Sequence, residues 1–318
     1  MGRGRTLGWL ALAAALLALP HLAPGSYFVH VMIVALIFAI LAGGLDLVMG
    51  YCGQFSFGQA AFYGIGAYAS ALLALRLGWS FWAAFPAAVL ITAAFGALLG
   101  VPSLRLAGHF LAITTIAFQV IVHQILTQWH GFTGGTAGLT GIPAPPPLRL
   151  GGVTLAFESP AAYYYLCLGV SALALAVAVR LVRSRIGREW LAVREDELLA
   201  KTMGIDTTRI KVLAFTLGAG LAGAAGSLLA HYLRNIHPSE FTIWTSAEIV
   251  AMVILGGRGT LAGPVLGAVV LTVLPEYLRA AQDYKLILYG LALIVMITFL
   301  PDGLMGGLRA LRARTAAA

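Results

Sequence analysis

Long apolar runs, separated by short polar or glycine-rich segments, repeat from one end of the chain to the other. They fall at about 7–22, 27–49, 58–77, 81–104, 106–129, 161–182, 212–233, 243–256, 262–280 and 285–300. A helix needs about 20 apolar residues to cross the hydrocarbon of a bilayer. The pattern therefore predicts an all-α fold: a polytopic transmembrane helical bundle with about ten membrane segments, as one domain over 1–318. The runs at 243–256 and 285–300 are short for a full crossing, so tilted, broken or re-entrant segments are expected among the ten. The first run follows Arg3 and Arg5. It reads either as a cleaved signal peptide or as an uncleaved first helix, and the second fits a chain embedded throughout.

One interruption stands out. Gly50-Tyr51-Cys52-Gly53-Gln54-Phe55-Ser56-Phe57-Gly58-Gln59 and the following Ala60–Tyr68 lie between two apolar runs and are rich in glycine and small polar residues. Irregular backbone at membrane depth cannot leave its N–H and C=O groups facing lipid. It must be buried in protein or line a water-filled path. The alternative is a tight helix–helix contact built from small residues. Gln54, Ser56 and Gln59 offer uncharged hydrogen bonds beside Phe55, Phe57 and Phe62, a mixture suited to a mostly apolar path with few polar groups.

Composition agrees with the pattern. Hydrophobic residues make up 60% of the chain and charged residues 10%, against about 25% charged in a soluble domain. The net charge of +8 is not a nucleic-acid signature, because the basic residues cluster between apolar runs. With the N-terminus inside and the segments alternating, 15 Lys and Arg fall on the cytoplasmic side and 5 on the other. That positive-inside bias places both termini in the cytoplasm. Residues 130–160 then form an external loop with Gly/Pro turns and a short alternating stretch, Val153–Phe157, that reads as a strand or hairpin arm.

Residues 183–211 are the only markedly polar block. It reads as two short helices, the first over about 187–194 and the second beginning at Glu195-Asp196-Glu197, acids that suit the positive end of a helix dipole. Gly204 is placed to end the second helix and Asp206 to cap the next. Leu199 and Met203, one turn apart, form a small apolar face. The segment reads as a docking element on the cytoplasmic surface, or as a solvated helix held to headgroups by its arginines.

Ionisable residues inside spans are functional candidates. Asp46 precedes the glycine-rich break and Glu248 lies within 243–256. Either binds a substrate ammonium or pairs with a protein group. Cys52 and Cys167 lack metal-ligand spacing. The chain has no Gly-x-x-x-x-Gly-Lys-Ser/Thr loop, no His-Glu-x-x-His and no Gly-x-Ser-x-Gly. No enzyme, metal or cofactor is expected, and ATP hydrolysis, if it powers transport, belongs to other chains.

Three separated motifs resemble the permease subunits of branched-chain amino-acid ABC importers. They are Gly50–Tyr68, Arg194–Gly204, and Gly256-Gly257-Arg258-Gly259-Thr260-Leu261-Ala262-Gly263-Pro264-Val265-Leu266-Gly267-Ala268. The loop Thr133–Pro143 and Leu300-Pro301-Asp302-Gly303-Leu304 fit the longer, Liv-type of the two permease types. The resemblance covers about 30–306 and departs at Leu199, where the family usually has alanine. It implies a bacterial inner-membrane subunit that forms the path for branched-chain or related amino acids with a second permease. It also implies two cytoplasmic ATPases and a soluble binding protein as partners. It adds weight to a path along Gln54, Ser56, Gly58, Gln59, Phe62, Gly64, Glu248, Gly257 and Gly259. It likewise assigns ATPase coupling to Glu195, Asp196, Glu197, Leu199, Ala200 and Gly204 within 183–211. The alternatives are an ion-coupled secondary carrier and an ABC permease for urea or short amides.

Overall fold

The structure is a computed structural model that describes residues 15–21, 25–103, 109–150, 153–277, 290, 294, 298 and 303–307. Residues 15–21 are helical (α1). All of the expected segment at 285–300 but residues 290, 294 and 298, and most of the first run, lie outside the described residues. The long helices are α2 (Ser26–Asp46), α3 (Gln59–Leu77), α4 (Phe81–Ser103), α5 (His109–Gln128), α7 (Pro160–Arg183), α10 (Thr207–Leu233), α11 (Ile243–Gly256) and α12 (Ala262–Tyr277). Short helices α6 (His130–Thr133), α8 (Arg185–Glu195) and α9 (Glu197–Thr202) occupy the connections. Among the described residues, seven helices are long and apolar enough to cross a membrane, and α12 is a shorter apolar helix.

Two helices form the axis. α10 packs on α4, α3 and α2, while α2 also packs on α7, α12 and α11. Apolar burial cannot drive this association in lipid, so close backbone approach does the work. A Cβ at Gly44 would lie 2.9 Å from the Gly218 carbonyl oxygen, and one at Gly218 2.8 Å from that of Gly44. Only glycine permits α2 and α10 to touch there. Most of α2, α3 and α10 is buried, whereas α4, α5 and α7 leave most of their apolar surface open.

One end of the bundle carries α8 and α9. The other, far end carries two small antiparallel pairings. β1 (Leu139–Thr140) pairs with β4 (Asn235–Ile236), and β2 (Leu148–Leu150) with β3 (Val153–Leu155). The expected arm at 153–157 is thus a three-residue strand.

The polar block folds as two helices, with boundaries shifted from expectation. Asp196 lies outside the second helix as its N-cap, accepting the Leu199 N–H at 2.9 Å. The cap consumes the first acid run, so α9 begins at Glu197. Asp206 caps α10 through the Arg209 N–H at 3.0 Å, and α10 starts at Thr207 rather than 212. Gly204 has φ +83°, a left-handed conformation that follows the end of α9.

Candidate translocation and coupling site

The glycine-rich break begins as a widened helical turn. Leu47–Tyr51 is π-helical, with the Cys52 N–H donating to Leu47 at 3.1 Å and Gln54 N–H to Val48 at 2.9 Å. Such turns are uncommon and concentrate at functional sites. From Tyr51 the chain turns back into the bundle. Phe57 N–H donates to Thr115 Oγ1 of α5 at 3.0 Å, and Gln59 Nε2 donates to the Leu41 carbonyl of α2 at 3.1 Å. Leu41 stands ten residues before Tyr51, which is ~15 Å back along a helix rising 1.5 Å per residue. The break is therefore re-entrant, and α3 starts deep in the bundle.

A second chain segment enters from the far end. After β4 the turn Pro238–Glu240 leads Phe241 into a fully buried position, where Gln119 Nε2 of α5 donates to its carbonyl at 2.8 Å. α11 starts two residues later. Ser246 Oγ accepts the Ala60 N–H at 3.0 Å and donates to Gln119 Oε1 at 3.3 Å. The starts of α3 and α11 thus meet inside the bundle, where Ser246 of α11 accepts one N–H from the first turn of α3.

At the α8–α9 end, the three motifs converge. Asp46 is fully buried; its Oδ1 accepts the Gly259 N–H at 2.7 Å and its Oδ2 the Leu261 N–H at 3.1 Å. This clamps the loop between α11 and α12 to the end of α2. Arg194, near the end of α8, donates from Nη1 to the Gly50 carbonyl at 2.7 Å and from Nη2 to Glu195 at 2.8 Å. Gly50 has no room for a side chain, since a Cβ would run into Asp46 Oδ1 and the Gly259 nitrogen. Gly303, at φ +72°, abuts Gly257. A cavity of about 630 Å³ opens beside this junction, lined by Met49, Gly50, Gly53, Phe55, Arg194, Ile254, Gly257 and Arg258.

Residues 27–297 match the family described as "Branched-chain amino acid transport system / permease component". The chain belongs to this family. It is 37% identical over 295 residues to the high-affinity branched-chain amino acid transport system permease protein LivM of Salmonella typhimurium, covering 87% of this chain and 69% of that protein. It matches LivM of Escherichia coli to the same extent. Against LivH of Escherichia coli the identity is 26% over 288 residues, covering 85% of this chain and 91% of LivH. No solved structure matches the chain. The protein is thus a multi-pass membrane permease subunit of this family and not an enzyme.

Within this permease, the residues singled out from sequence fall into separate places. Gly50 and Gly53 of the first motif meet Gly257 and Gly259 of the third around Arg194 of the second. Gln54 and Ser56 are buried and bonded locally, Gln54 to the Cys52 carbonyl at 3.3 Å and Ser56 Oγ to the Gly58 N–H at 3.2 Å. Phe62 meets Phe118 with its ring tilted by 41° and ring centres 5.3 Å apart, and Gly64 backs onto Phe241. Glu248 stands apart on α11, half-buried, with no hydrogen bond or ion pair among the described residues.

The α8–α9 residues divide by exposure. Glu197 pairs with Lys211 of α10 at 2.5 Å, and Ala200 is buried. Leu198, Leu199 and Met203 are exposed by 74%, 59% and 76%, an uncovered apolar face on a polar segment. Gln119 and Ser246 were not singled out from sequence. Thr115 and Gln119, polar residues four apart in the apolar run of α5, carried the signal, since that spacing puts both on one helix face.

Proposed function

We propose that this chain is the permease subunit of an ATP-binding-cassette importer in a bacterial inner membrane, carrying branched-chain amino acids released by a soluble binding protein. Its path is shared with a second, related permease, and similarity to both LivM and LivH supports such a pair. The α8–α9 end faces the cytoplasm, with both termini on that side and residues 130–160 outside. Two ATPase subunits bind the assembly on the cytoplasmic side, and α8–α9 is the element by which this chain couples to them.

The observation that carries this reading is the junction at Arg194. The segment 183–211 exposes an apolar face for a partner, is fixed to α10 through Glu197–Lys211, and touches the re-entrant break through Gly50. A partner that moves α9 therefore moves the wall of the path. An ion-coupled carrier has no use for such an element. The test is reconstitution in liposomes. The chain alone, under imposed ion gradients, is expected to take up no leucine, isoleucine or valine. The full assembly of both permeases, ATPases and binding protein is expected to do so only with ATP. Gradient-driven uptake by the chain alone would overturn the reading.

A further inference from the structure

α11 keeps one face open along its whole length. Ser246, Ile249, Val250, Met252, Val253, Leu255 and Gly256 are buried. Trp244 and Arg258 are exposed, and Glu248, Ala251 and Ile254 are half-buried between them. Steps of three or four residues set Trp244, Glu248, Ala251 and Ile254 on one stripe, and Arg258 follows in the turn two residues past the end of the helix at Gly256. The stripe starts deep in the bundle, beside Ser246, and ends in the cavity that Ile254 and Arg258 line. Glu248 on the stripe and Arg258 just past its end are of opposite sign, and neither has a hydrogen bond or ion pair among the described residues. An unpaired carboxylate at membrane depth is costly against hydrocarbon and tolerable beside water or a cation. The second guanidinium at the cavity, Arg194, is already held by Gly50 and Glu195.

We propose that the open stripe of α11 is a binding track for an aliphatic zwitterion, with Glu248 receiving its ammonium group and Arg258 its carboxylate at the α8–α9 mouth. This rests on the transport reading above and names the residues that recognise the solute inside the permease. Glu248 stands eight residues, ~12 Å, before the last residue of the helix, and Arg258 lies beyond that end, a spacing that exceeds the span of one amino acid. The two charges are therefore successive stations. The solute leaves Glu248 before it meets Arg258, and neither station holds both its ends. Met49, Phe55 and Ile254 supply apolar wall for its side chain at the mouth.

The experiment has two arms. In the assembled importer, Glu248→Gln is expected to raise KM for leucine about tenfold or more, with leucine binding to the isolated soluble receptor unchanged and Glu248→Asp recovering part of the loss. Unaltered KM in Glu248→Gln would overturn the proposal. The second arm needs no transport and no receptor. Ala251→Cys, on the same stripe, is labelled with a water-soluble methanethiosulfonate; the native Cys52 and Cys167 are buried. Excess leucine is expected to slow labelling and 4-methylpentanoate, which lacks the amino group, is not. The difference should vanish when Glu248→Gln is added. Equal protection by both compounds, or none by either, rejects the ammonium station. Absence of ATP-driven uptake in the wild-type assembly, with leucine-specific protection intact, would instead reject the importer reading and leave the track standing.

Discussion

Arg194 does two jobs with one fork. Its Nη1 satisfies the Gly50 carbonyl that the π-turn leaves unpaired, and its Nε and Nη2 face Glu195 at 3.3 and 2.8 Å. Removing it strands a carbonyl in a half-buried site, at a cost of about 1–3 kcal/mol. Function should suffer more than folding. Arg194→Leu is expected to cut uptake at least about tenfold while ATP turnover by the assembly persists, and Arg194→Lys, with one donor retained, to regain part of the uptake. Parallel loss of turnover and uptake would show that Arg194 is only a structural staple. Asp46 is the complementary group. Its two oxygens each accept a backbone N–H, so Asp46→Ala leaves two buried donors without partners. A lowered unfolding temperature in detergent is expected, larger than for Arg194→Leu, because Asp46 is the more buried of the two.

At the scale of elements, α9 is a short helix made rigid by its ends. The Asp196 cap is worth about 1 kcal/mol, Gly204 takes the left-handed turn, and Glu197–Lys211 ties the helix to α10. Nothing lies within 4 Å of a Cβ built on Gly204. A Cβ at 204 therefore meets no clash, and the cost at the backbone of Gly204→Trp is the strain of a positive φ, about 1 kcal/mol. It is expected to insert and fold, yet lose co-purification with the ATPases, as is the double substitution Leu199→Asp with Met203→Asp. Retained co-purification of both would move the docking surface elsewhere.

The Gly204 turn and the Asp206 cap of α10 were legible in sequence, because such signals are encoded within a few residues, whereas Asp196 as the cap of α9 and the Glu197–Lys211 pair were not. Also legible was the 14-residue length of α11, which matches its apolar run residue for residue. Depth was not legible. Hydropathy places the break between two spans but cannot say that Gln59 returns to the level of Leu41, because that follows from a hydrogen bond between helices. Nor could the pattern show that Asp46 holds Gly259, since that contact joins residues 213 apart. The motifs marked the ends of the junction, and the packing of α2 against α11 and α12 brought them together.

For the whole molecule, the question is which of the open surfaces faces lipid. Leu90 and Leu98 of α4 and Leu173 of α7 are exposed by 70%, 66% and 66%, on faces with no ionisable side chain nearby in their helices' midsections. Such surface is at home in hydrocarbon. The α11 face differs. Trp244 is 80% exposed and Glu248 follows it by one turn, and a carboxylate there excludes bare lipid contact. On the importer reading proposed above, the second permease is the covering that fits this face. Single cysteines can separate the surfaces, since both native cysteines are buried. Trp244→Cys is expected to form cross-links to the partner permease, whereas Leu90→Cys and Leu173→Cys are expected to form none and to react with membrane-soluble maleimides. Cross-linking from Leu173 and not from Trp244 would put the partner on α7. The path between the two subunits would then run along α7, and Glu248 would need a covering from within this chain.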